Sequence, residues 1–281
     1  MRKRIFNTDK KTLLLFFLVI YFAINLLFLT KFPFIHSDEP WLSGLSRNIM
    51  EQKDYSVTET FFDLYERNPH AIKSVFHTIQ IFFIKFFGYS VFSVRLISLI
   101  FGILTLIYFY KLCNKIFNKS IYSLLATLML SLDIQFIYAS HFARQEIILT
   151  FVLIFALNYL FKYLCSFNSK NAITLGLIIG VSIGIHPNSF IIALPVAFIM
   201  FYHILITKKI SMKDAIICFI TLNVVGTIYI FLSLSFDHNF FTNYSNYGQQ
   251  FGVFHSPDKK ISQLLNFYLK LFFGVSGTYY T

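Results

Sequence analysis

AIKSVFHTIQIFFIKFF, residues 71–87, is apolar enough to be taken for a membrane span, and the reading of this stretch decides the fold. If it crosses a bilayer, the loops carrying Lys111, Lys115 and Lys119, Lys162 and Lys170, and Lys208, Lys209 and Lys213 all lie opposite the basic N-terminus, Arg2-Lys3-Arg4. That arrangement breaks the positive-inside rule three times. If the stretch lies along the membrane surface, all three loops join the N-terminus in the cytoplasm. The opposite turns, Tyr138–Glu146 and His186–Ser189, then carry a single Arg. The second reading is the one adopted. His70, Lys73, Ser74, His77 and Gln80 recur at helical spacing, the pattern of an amphipathic helix in the interface.

Outward from this stretch, composition sets the class. With 56% hydrophobic residues, 37 Phe, a mean hydropathy of +0.64 and 13% charged residues, a chain of 281 residues is too apolar for a soluble domain. A hydrocarbon core of roughly 30 Å needs about 20 helical residues per crossing. Apolar runs at 13–29, 92–110, 120–138, 147–164, 172–185, 190–206 and 215–235 give seven predicted spans. A further apolar stretch, 264–275, is short. The predicted fold is therefore an all-α, polytopic transmembrane helical bundle of about seven spans, with an interfacial amphipathic helix in its first outer loop. The expected organisation is a cytoplasmic N-terminus over 1–12, a transmembrane module over 13–235 with a polar outer loop at 30–91, and an outer loop with a C-terminal segment over 236–281.

The basic N-terminus followed by an apolar run imitates a secretory signal. No small-x-small cleavage site follows Leu29, where the chain reads Thr30-Lys31-Phe32-Pro33, so an uncleaved signal anchor is expected. The net charge of +11 is spread over inter-helix loops and forms no nucleic-acid patch. Cys113, Cys165 and Cys218 sit near predicted cytoplasmic helix ends and match neither a zinc spacing nor a redox pair. No glycine-rich phosphate loop or nucleotide fingerprint is present in the sequence, which disfavours a cytosolic nucleotide donor. Ionisable residues gather instead on the predicted outer side. Asp38 and Glu39 stand just beyond the first span, followed by Trp41, Arg47, Asp63, Glu66, Arg67 and His70, and later by His141, Arg144, Glu146, His186 and His255.

These landmarks resemble the membrane glycosyltransferases of the GT-C class, specifically the bacterial and archaeal relatives of protein O-mannosyltransferases and of the lipid A aminoarabinose transferase. His36-Ser37-Asp38-Glu39-Pro40-Trp41 is similar to the Asp-Glu motif after the first span. Tyr65-Glu66-Arg67-Asn68-Pro69-His70, leading into an apolar helix that ends Phe86-Phe87-Gly88, is similar to the family's Glu-Lys-Pro-Pro segment and interfacial helix. His141-Phe142-Ala143-Arg144-Gln145-Glu146 is similar to the Ala-Arg-x-Asp turn, with Glu146 where Asp is usual, and Arg95-Leu96 matches a further landmark. The resemblance covers roughly residues 10 to 235.

The resemblance implies transfer of one sugar from a polyprenyl phosphate to a lipid, glycan or protein acceptor at the outer face of the cell (inner) membrane, with inversion. Asp38 is then the base that takes the acceptor proton, with Glu39 tuning or orienting it. Arg67, Lys73 and Arg144, with Glu146, are expected to hold the donor phosphate. No organic cofactor is implied. A divalent metal ion is the one candidate, with Glu66 at a metal-ligand position of the aminoarabinose transferases and His255 able to supply an imidazole. Two alternatives stay open at the level of sequence: a non-catalytic, truncated or split protein of the same fold, and a lipid or solute transporter. Transport predicts ionisable groups near the bilayer midplane, and Asp133 is the nearest candidate.

Overall fold

The computed structural model describes residues 2–58, 73–186, 189–250 and 255–272. It divides into two compact units, Met1–Asp237 and His238–Thr281. The first holds α1 (Arg2–Phe28), α2 (Asp38–Gln52), α3 (Ser74–Phe87), α4 (Val91–Phe117), α5 (Ser120–Leu132), α6 (Ile134–His141), α7 (Glu146–Ser166), α8 (Ser169–Ile183), α9 (Phe190–Leu205) and α10 (Met212–Phe236). The second holds α11 (Phe240–Gln250) and α12 (Pro257–Phe272). Among the described residues there is no strand, and the fold is the expected all-α bundle.

Three helices, α4, α7 and α10, are by themselves long and apolar enough to cross a membrane. A fourth crossing is available only if α5 and α6 count as one span bent by 65°. The bend falls at Asp133, whose Oδ1 accepts the Phe136 backbone N–H at 2.8 Å and so caps α6. The run read as one straight span over 120–138 is thus two helices. Asp133, the ionisable residue nearest to a midplane position, has a structural use as that cap. The apolar part of α1, together with α8 and α9, is shorter than 18 residues. Seven crossings are more than length and composition alone support.

The decisive stretch folds as α3, 14 residues or about 21 Å of helix, shorter than the roughly 30 Å of hydrocarbon. Its neighbours also keep it from passing through the bundle. Arg95, near the start of α4, donates from Nη1 to the carbonyls of Leu29 and Pro33 just after α1 (3.1 and 2.9 Å), so the chain leaves α1 and enters α4 at the same end. Across that end, the Val75 and Phe76 N–H groups of α3 donate to the Gly184 carbonyl after α8, and Gln80 Nε2 donates to the Ala143 carbonyl before α7. The polar face of α3 points inward: Lys73, His77 and Gln80 are buried while Phe82, Phe86 and Phe87 are exposed. The amphipathic helix expected in the first outer loop is present, and its polar face meets protein.

Two large apolar cores and two small ones hold the first unit. One large core joins Leu18 and Tyr21 of α1, Trp41 and Leu42 of α2, Phe76 of α3, and Ile97, Leu106, Ile147 and Ile148 of α4 and α7. The other large core is built between α7, α8, α9 and α10. Along α8, Gly176 and Gly180 face α10 every fourth residue: a Cβ on Gly176 would lie 2.5 Å from the Cys218 carbonyl oxygen, and one on Gly180 2.7 Å from Val225 Cβ. Small residues at that spacing let two helix backbones approach closely in a membrane, where apolar burial gives helices no preference for one another.

Candidate functional site

The site end of the bundle is organised by α2, which begins at the acidic pair itself. Ser37 precedes the helix, Asp38 and Glu39 occupy its first turn, and Pro40 stands where no intrahelical N–H is required. The two carboxylates favour the positive end of the helix dipole. Trp41, Leu42, Leu45 and Ile49 then recur on one face and are buried. Residues 38–52 of the expected polar loop are therefore helical.

The two acids diverge. Glu39 is 3% exposed and saturated. Its carboxylate accepts Arg95 Nε at 2.8 Å and Nη2 at 2.7 Å, the Ala143 N–H at 3.0 Å and the His36 N–H at 3.1 Å. Arg95 is wholly buried and gives its remaining donors to the carbonyls of Leu29, Pro33 and Phe34. This planar, bidentate pair needs Arg, because an ammonium cannot present a fork. It binds the chain after α1, the start of α2, the start of α4 and the turn before α7 into one unit. Glu39 has no oxygen in reserve, so what it contributes to chemistry is the placement of its neighbour.

Asp38 is the reachable carboxylate. Its side chain is 28% exposed, and its Oδ2 lies 3.2 Å from Arg144 Nη1 and 3.8 Å from His36 Nδ1. Arg144 uses its other nitrogen, Nη2, on Glu146 Oε1 at 2.7 Å, bridging the acid at the start of α2 and the acid at the start of α7. The turn that carries Arg144 is held by Ala143 on Glu39 and by Ser98 Oγ, which donates to the Phe142 carbonyl. Arg144 Nε is buried and has no partner among the described residues.

Lys73, immediately before α3, completes the cluster. Its ammonium lies 5.6 Å from the Trp41 ring centre, within cation–π range. Burial pulls its pKa down to about 8, the carboxylates of Glu146 and Asp38 resist that fall, and Arg144 adds to it. Burial, then Lys73 and Arg144, lower His186 to about 4, so it is neutral at neutral pH. His77 behaves alike: burial and Lys73 take it to about 3. Its Nδ1 lies 2.8 Å from Ser46 Oγ, which donates to Gln80 Oε1 at 2.6 Å, while Nε2 is buried without a partner among the described residues. Gln145 Oε1 and Ser189 Oγ, at the starts of α7 and α9, are in the same condition.

Of the residues singled out from sequence, Asp38, Lys73, Arg144 and Glu146 are brought together, and Glu39 lies beside them in its own ion pair. Asp63, Glu66, Arg67 and His70 lie outside the described residues. His255 belongs to the second unit, where its Nε2 lies 3.5 Å from Lys259 Nζ. Among the described residues no group of three or more His, Cys, Asp or Glu side chains gathers to hold a metal ion. Sequence reasoning noted Arg95 only as a landmark and gave it no partner. An arginine four residues inside an apolar helix requires a carboxylate, and that requirement points to one of the adjacent acids 56 or 57 residues earlier.

A helical bundle of this kind, with acids and cations gathered at one end of its apolar helices, defines an integral membrane protein with a polar site at the bundle's end. The family model of dolichyl-phosphate-mannose-protein mannosyltransferases matches residues 74–232, more than half of the chain, and the protein belongs to that family, a GT-C class of membrane glycosyltransferases. The match takes in His77, Arg95, Arg144 and Glu146, while Lys73, Asp38 and Glu39 precede it. Neither a curated protein nor a solved structure matches the chain.

Proposed function

We propose that the protein takes one sugar from a polyprenyl-phosphate donor and passes it, with inversion, to a lipid, glycan or protein hydroxyl at the outer face of the cell membrane. The observation that carries this reading is the Asp38–Arg144–Glu146 cluster with Lys73 beside it: two accessible carboxylates and two cations at one end of the bundle. Asp38 accepts the acceptor's proton as the new bond to C1 forms. The bond from C1 to the phosphate oxygen breaks on the opposite side, and its electron pair leaves with the lipid phosphate. Lys73 and Arg144 stabilise the charge that develops there, with Arg67 assigned the same task from the family resemblance.

Glu146 holds Arg144 in place before the donor arrives. Residues 13–235 form the transferase module in this reading, loop 30–91 supplies its catalytic face, and 236–281 adds a further outer segment. The outward orientation is supported by the lysines, since Lys111, Lys115, Lys119, Lys162 and Lys170 all sit at the helix ends away from Asp38. The test is Asp38→Asn. A lost general base lowers transfer by about 10²- to 10⁴-fold, with expression and donor binding retained. Normal turnover in that variant rejects Asp38 as the base.

A further inference from the structure

At the opposite end of α4 and α7 lies a cavity of about 910 Å³ that the transfer reaction does not use. Lys111 and Lys115, four residues apart on α4, face Lys162 of α7 across it. The charges of Lys111 and Lys162 act on Lys115, and among the described residues no carboxylate lines the cavity. Among the described residues none of the three lysines forms an ion pair with an acid. Each is held by a neutral partner instead. Lys111 lies over the Tyr108 ring at 4.3 Å, Lys162 over the Tyr159 ring at 5.0 Å, and Lys115 donates to the backbone and side-chain oxygens of Asn158 at 3.1 Å each. Asn158 is fixed in turn by donating to the Tyr108 and Ile154 carbonyls, so the frame of the cavity is rigid while its cations are weakly engaged.

Like charges four residues apart on a helix repel, and three ammonium groups paired with no acid among the described residues favour an anion between them. Asn114, Asn118 and Asn158 share the polar part of the wall with the lysines, and Leu14 of α1, Ile107, Phe155 and Phe161 supply its apolar part. A cationic rim above an apolar floor fits a headgroup with chains attached better than a free ion. We propose that this cavity binds the phosphate of an anionic phospholipid, with Lys111, Lys115 and Lys162 on the headgroup and an acyl chain along Leu14, Ile107 and Phe155. Phosphate oxygens make stronger hydrogen bonds to an ammonium than a ring face or an amide does, so the lysines exchange partners on binding. The site is independent of the transfer reaction and is tested by binding alone.

The experiment is native mass spectrometry of the full chain in detergent, titrated with dioleoylphosphatidylglycerol and with dioleoylphosphatidylcholine. The expected result is preferential retention of the anionic lipid. Each lysine near a lipid phosphate contributes roughly five-fold, so K111Q/K162Q, which leaves the Lys115–Asn158 contact intact, weakens that binding by about 25-fold and leaves the zwitterionic lipid unaffected. K111Q alone gives about five-fold and serves if the double variant does not fold. Equal retention of both lipids, or an anionic preference that survives the double variant, overturns the proposal. So does displacement of the lipid by millimolar inorganic phosphate that binds by itself, which marks a site for free phosphate.

Discussion

Replacing Arg95 by Met is the sharpest test of how the site end is built. The methionine fills much of the space but leaves Glu39, with a side chain 4% exposed, as a buried carboxylate with only the Ala143 and His36 N–H groups to meet it. Removing one partner of a buried, hydrogen-bonded ion pair costs about 3–5 kcal/mol. The buried carbonyls of Leu29 and Pro33, and that of Phe34, also lose their donor, which adds to the loss. At about 2–4 °C per kcal/mol for a domain of this size, the expected fall in midpoint is on the order of 10 °C. The protein carries its own probe. Cys113 and Cys218 are buried and Cys165 is exposed, so a thiol-reactive dye in a Cys165→Ser background reports unfolding in detergent. Arg95→Met with Glu39→Leu removes the stranded charge, and it should recover most of the loss relative to Arg95→Met alone. A single variant as stable as the wild type, or a double variant no better than the single, refutes the claim that this pair ties α2 to α4.

Three further outcomes are expected. A cysteine at Ser56 should react with an impermeant maleimide on intact cells, while the native Cys165, at the far end of α7, should react only after the membrane is opened; the reverse pattern inverts the proposed orientation. Binding of a polyprenyl-phosphate sugar should weaken as pH rises through about 8, because Lys73 loses its proton there, and Lys73→Arg should abolish that fall. Stability moves the other way, since the folded state penalises the charged amine and that penalty fades between about 8 and the ordinary 10.5, so a parallel decline of both rejects the assignment. Gly176→Ala should lower the dye-reported midpoint more than Gly226→Ala, because the new methyl meets a backbone carbonyl at 2.5 Å in the first and the end of Ile183 at 3.1 Å in the second; equal effects dismiss the close α8–α10 approach.

Much of this was legible in the chain. Long apolar runs announce α4, α7 and α10 because lipid leaves a spanning backbone no hydrogen-bond partner outside its own helix. The lysine asymmetry separates the two ends. Helix α2 was hidden because its polar and apolar residues average to a loop-like hydropathy, although Ser37, two acids and Pro40 ahead of Trp41, Leu42, Leu45 and Ile49 are a helix start followed by a helical stripe. The break at Asp133 was masked by apolar residues on both sides, since hydropathy registers composition and not a capping carboxylate. The inward polar face of α3 was unreadable, as periodicity locates a face without saying whether water or protein meets it. Asp38 and Glu39 look equivalent in sequence. Only the pairing of Glu39 with Arg95 separates a reachable carboxylate from a structural one.

The shortness of α8 and α9 has a consequence for the surrounding lipid. At 15 and 16 residues they measure roughly 22 and 24 Å, against a hydrocarbon thickness of about 30 Å, while α10 beside them runs 25 residues or about 37 Å. For α8 and α9 to cross, the bilayer has to pinch inward on their flank, and the long α10 has to lean over to keep its ends wet. The dimple would form where His186 joins the two short helices, next to Lys73. Headgroups drawn down there would bring the polar end of a membrane-borne substrate closer to the depth at which Asp38 and Arg144 wait.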